Sequence, residues 1–241
     1  MKKTGFFVAL ILTSILFSCN SESSAYNAEL SDFIIENYTK DAKLLYMHEI
    51  ANDNTHPNSN DATLDEKEIT VILEAIQAVY NLNIPEKDTI FNLNKVHTYL
   101  CYNFNSLSLK VDPEASEIVE MIAGSATTGN VNLDAILKKY NLDKVRTLYS
   151  YPSFPWLTVV FSGEYNMIPI QKEFEKIPSV KLTELNSICI GDGDSISLKR
   201  STNEIILTFN IGRDDCPSGC LYKRYWEFKI RNNIAKFIKA Y

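Results

Sequence analysis

After residue 17 the 241-residue chain has no apolar run longer than a few residues. Nothing beyond its leader therefore reads as a transmembrane helix, which needs about 20. It also has no basic run. With 24 Lys and Arg against 30 Asp and Glu, it offers phosphates no cationic stripe, which argues against a nucleic-acid partner and against electrostatic adhesion to anionic lipid. Histidine is scarce, at three residues, which limits both catalytic bases and zinc ligands. His48-Glu49 fails the zinc-protease pattern, because Asn52 stands where a second histidine would share the helix face. No Gly-x-Ser-x-Gly nucleophile elbow occurs, and residues 124–130 (GSATTGN) lack the Gly-Lys-Ser/Thr of a phosphate loop. No internal repeat is visible. The sequence thus yields no catalytic residue, no cofactor and no complete metal site.

What is present starts with the leader. Lys2 and Lys3 precede a 12-residue apolar stretch, FFVALILTSILF over residues 6–17, followed by Ser18 and Cys19. That length fits a secretory signal core of roughly 7–15 residues. Leu16-Phe17-Ser18-Cys19 resembles the lipobox of bacterial lipoproteins. The resemblance implies that residues 1–18 are a signal peptide, and that Cys19 becomes an N-terminus carrying a diacylglycerol on sulfur and a further acyl chain, such as palmitate, on its amine. Each buried methylene is worth about 0.8 kcal/mol and one chain alone binds marginally, so two or three chains would hold the protein on a membrane. The competing reading, an ordinary secretory peptide cleaved near Ser18 or Ser24, exports the chain as well. Residues 19–28, with NSESSAY at 20–26, read as a flexible tether. Losing Lys2 and Lys3 takes the net charge from −6 to −8, so the lipid has to supply membrane attachment. The expected location is the cell envelope, at the outer membrane or its periplasmic face.

Composition, 45% hydrophobic and 11% aromatic, supports a substantial core. The alternation of helical and strand-like segments argues an α+β fold with an antiparallel sheet. Residues 29–111 read as a mainly helical N-terminal part and 112–241 as an antiparallel-sheet part, the two also being compatible with one continuous domain. Helices are expected over 38–50 and 63–80, the latter with Asp65 and Glu68 in a capping-box pattern and Pro85 as the later breaker. Strands are expected at 90–103 and 106–111, helices at 114–122 and 133–140, a hairpin from 145–151 and 156–161, a helix over 168–177 and a strand over 180–190. A meander of 195–199, 204–211 and 221–230 closes the order.

Four cysteines follow Cys19. Cys216 and Cys220 form the close pair expected to clip a loop tip as a disulfide; their spacing is wrong for a thioredoxin-type site. Cys101 and Cys189 lie in apolar, strand-like settings, which fits buried free thiols as well as a second bridge. Asp192, Asp194, Asp214 and Asp215 put hard oxygens on turns of the meander and form a candidate cation site, against the competing reading that Asp and Gly serve the turns themselves. Tyr222 and Trp226 are expected in the core with Lys223 and Tyr225 opposite, rather than as a platform for a glycan or peptide. The run Asp215-Cys216-Pro217-Ser218-Gly219-Cys220 followed by Tyr225-Trp226-Glu227-Phe228 resembles the C-terminal signature of uncharacterised envelope lipoproteins of Bacteroidetes-type bacteria, strongly over the last thirty residues or so. It implies a shared fold and an exported location and carries no activity. Two functions follow as expectations: a lipid-anchored envelope protein that binds or assembles, with an envelope protein or glycan as partner, and a hydrolase acting on peptide or glycan. A pocket gathering His48, His97 or paired acids would favour the second.

Overall fold

In the computed structural model, which describes residues 29–53, 55–125, 127–148, 156–186, 193–214 and 216–241, two four-stranded antiparallel sheets each carry helices on one face. The fold is α+β, ending in a β-meander. The elements run α1 (Asp32–Asn52), α2 (Glu66–Tyr80), a short α3 (Pro85–Asp88) continuing into a π-helical turn (Thr89–Leu93), β1 (Ser106–Val111), α4 (Ser116–Ile122), α5 (Val131–Lys139), β2 (Leu142–Leu148), β3 (Trp156–Phe161), α6 (Met167–Phe174), β4 (Val180–Leu185), β5 (Ser195–Ser201), β6 (Glu204–Arg213), β7 (Tyr222–Arg231) and β8 (Ile234–Ala240).

Residues 106–185 form one layered unit. Its strands lie in the order β2-β3-β1-β4, every neighbouring pair antiparallel. Each βαβ path is thus split by an intervening strand, the ferredoxin-like arrangement. Leu107, Leu109, Leu157, Val159 and Phe161 face α4, α5 and α6, which contribute Ile118, Met121, Leu133, Leu137, Ile170 and Phe174.

The second core joins the two ends of the described chain. Strands β5 to β8 pair in sequence order, and alternation turns Ile196, Leu207, Phe209, Trp226, Phe228 and Ile230 toward α1 and α2. Ser31 caps α1 and also donates from its hydroxyl to Gln77 Oε1 of α2 (2.7 Å). Asp65 caps α2, accepting from Lys67 N and Glu68 N. Each hydrophobic cluster therefore draws on residues from both sides of position 111. The two units meet where Asn166, fully buried at the start of α6, donates its amide to Asp61 O (2.9 Å) while its backbone N–H donates to Ala62 O (2.9 Å).

Several segments depart from expectation. Residues 90–103 form no strand. α2 ends at Tyr80 as expected, and Pro85 beyond it, whose fixed φ suits the first turn of a helix, also starts α3, whose continuation buries Ile90 and Phe91 as a helical turn. α1 begins six residues earlier than the 38 read from sequence. The terminal strand β8 was not expected at all; Asn232 and Asn233, with φ of 49° and 58°, make the two-residue turn that pairs it with β7. Of the 180–190 strand, Val180–Leu185 is present, and 187–190 lies outside the described residues.

Candidate functional site

Helix α1 crosses beside β5, an edge strand of the C-terminal sheet. Between them lies a groove of about 440 Å³ lined by Leu45, His48, Glu49, Asn52, Leu100 and the strand from Ser195 to Leu198. His48, Glu49 and Asn52 share one face of the last turns of α1 because helical neighbours recur at three and four residues. Asn52 Nδ2 donates to His48 Nδ1 (2.6 Å), which leaves the proton of the neutral ring on Nε2. Partial burial pushes the His48 pKa down. Glu49 is pushed up by burial, an effect opposed by Arg200. Arg200 holds two carboxylates, Glu49 through Nε (3.0 Å) and Glu68 through Nη1 (2.6 Å).

The groove's far wall is a strap, residues 95–101, tied to α1 by a buried carboxylate. Asp41 Oδ2 accepts from His97 Nδ1 (2.8 Å) and Asp41 Oδ1 from the Thr98 backbone N–H (2.5 Å). Tyr38 stacks on the His97 ring at 5.0 Å. The hydrogen bond to Asp41 holds the His97 pKa above its ordinary value, against burial, which lowers it. Thr98 Oγ1 then reaches across to Ile196 O of β5 (3.2 Å). A comparable hollow over α5, about 480 Å³, has less chemistry on offer: its one carboxylate, Asp134, is occupied by Thr128 N and Oγ1 (2.6 Å each).

Cys19, Cys189, Asp192 and Asp215 lie outside the described residues. Cys216 and Cys220 are disulfide-bonded and pack over Gly212, where a Cβ would collide with Cys220 Sγ. Cys101 is exposed and disulfide-bonded, not a buried thiol on a strand, because the strap that carries it crosses the surface. Asp194 Oδ1 accepts from Gly212 N (3.0 Å) and Arg213 Nη1 (2.6 Å), and exposed Asp214 turns the chain with φ 60°. Among the described residues no three His, Cys, Asp or Glu side chains gather into a metal-binding group. Trp226 is fully buried as expected, but Tyr222 is 50% exposed, since β7 runs past the end of the helical cover there. His48 is in the groove. His97 is not, although its strap forms one wall. The roles of Arg200, Glu68 and Asp41 here are not legible in the sequence, where Glu68 reads only as a capping residue of α2; each acts through partners 56 or more residues away, a separation that leaves no local pattern.

No family model, curated protein or solved structure matches this chain.

Proposed function

We propose that the protein is an envelope protein, exported and held by an acylated Cys19, that works by binding at the α1–β5 groove. The lipobox-like leader supports the anchor. The observation that carries the binding role is the pairing of a groove with an edge strand whose backbone faces it. Hydrolysis is the less supported reading. Ile196 points into the core, so alternation turns Ser195 and Ser197 to the opposite face of the sheet, away from His48. His48 Nδ1 is moreover occupied by an amide and not by a carboxylate that would orient a base.

The anchor is tested by replacing its sulfur. Wild type takes up labelled palmitate and sediments with membranes; Cys19→Ser loses both. A wild type without label, together with a variant that still sediments, contradicts the reading.

A further inference from the structure

The open edge of β5 has a direction and a length that select the ligand. Ile196 O faces away from β6, since it accepts from Thr98 Oγ1. On an antiparallel strand the outward backbone recurs at every second residue, so Leu198 and Arg200 present their N–H and C=O to the same side. Among the described residues neither has a backbone partner there. The strap occupies the Ile196 end, and the two-residue turn between Ser201 and Glu204 closes the other. Unpaired strand edges accept added strands. Side chains two apart on an added strand share a face, matching the spacing of Leu198 and Arg200. At the first position the wall is apolar, from Leu45, Leu100 and Leu198. At the second, Glu49 and Glu68 set two carboxylates against one guanidinium, an unneutralised negative charge.

We propose that the groove takes an extended polypeptide segment of a partner as an added strand on β5, with an apolar side chain against Leu45 and Leu198 and a Lys or Arg two residues away at the Glu49–Glu68 pair. This rests on the groove being the binding surface, and it names the ligand class. A glycan lacks the regular alternation of donors and acceptors that the edge offers.

The test uses the full-length acylated protein in detergent and a fluorescent probe peptide, Thr-Val-Thr-Leu-Thr-Lys-Thr. Saturable anisotropy is expected. Binding falls about tenfold when the probe's amides are methylated on every second residue, in one of the two alternating sets. It falls similarly in Leu198→Pro relative to Leu198→Ala, because proline removes an N–H that points outward and leaves the β6 ladder intact. The methylated probes act on wild type, so the test survives a misfolded proline variant. The proposal is overturned by no saturation up to about 1 mM, by equal binding of both methylated probes and the parent, by a glycan fragment binding where the peptide does not, or by a wild-type dimer in sedimentation that Leu198→Pro dissociates, which would make the occupant a second copy. If the peptide fails while wild type binds the glycan fragment and His48→Ala with Asn52→Ala loses it, the binding role of the groove stands and only this ligand class falls.

Discussion

The core under β5–β8 is drawn from both ends of the described chain, with helices from residues 32–93 and strands from 195–240, whereas the core under β1–β4 comes from one continuous stretch, 106–185. Among the described residues the continuous unit buries hydroxyls and one amide but no charged side chain, whereas the divided one buries Asp41 and Gln77. The divided one also carries the bonded cysteines 101, 216 and 220, the His48 and Glu49 groups of the groove and Arg200, which pairs with Glu49. Bringing distant segments together costs loop-closure entropy that local packing does not face. Polar ties that need one geometry, such as Asp41 to His97 and Thr98, fix how those segments meet. The difference teaches that this protein's chemistry collects along the seam between its early helices and its late strands, and that the intervening unit is organised by packing.

The sharpest way to break that contrast is to empty each core in turn. Trp226→Ala and Phe174→Ala both remove fully buried rings and should each cost about 3–5 kcal/mol. Hydrogen exchange should show protection lost mainly in β5–β8 for the first and in β1–β4 for the second. Equal loss in both sheets from either variant would mean the cores open as one unit. Asp41→Asn weakens a buried acceptor of two hydrogen bonds at the seam. It should cost about 2 kcal/mol and speed exchange at residues 97–101 in particular. The double variant Cys216→Ser with Cys220→Ser opens a loop of only five residues, for which chain entropy gives about 2 kcal/mol as an upper figure, and the change should stay near the β6–β7 connection.

The smallest effect separates the two histidines. Because the folded pKa of His97 is raised, its stabilisation is complete below the unfolded value near 6.5 and fades as pH rises through the folded value. His48, lowered by burial, acts the other way: its contribution is present above the unfolded value and is lost as pH falls. The denaturation midpoint of His97→Gln relative to wild type should therefore rise with pH between about 5 and 7. The change should be under about 1 kcal/mol, since the His97 side chain is 46% exposed and screened. A difference that stays flat or falls over that range would assign the pH dependence elsewhere.

How much of this was legible in the sequence follows the same division. α2 announced itself because one face is apolar and Asp65 with Glu68 marks its start. The pairing of β6 with β7 showed in the alternation of Leu207 and Phe209 with Thr208 and Asn210. α1 was underestimated because several of its faces are buried, blurring the amphipathic period that helix reading relies on. Residues 90–103 misled because β-branched and aromatic side chains suit a strand, yet a strand also needs a partner, which tertiary context denied. The candidate groove was hardest to see. Glu49 and Glu68 belong to different helices, Arg200 arrives from the far end of the chain, and an unpaired edge is a property of sheet order that no single segment records.

The binding surface depends on which backbone amides of β5 face outward, and residue-resolved hydrogen exchange on the unliganded protein reads this directly. Ser197 and Lys199, bonded to β6, should exchange slowly, and Leu198 and Arg200 should exchange at near-solvent rates. Slow exchange at Leu198 and Arg200, or the reverse alternation, would contradict the open edge and the binding surface built on it.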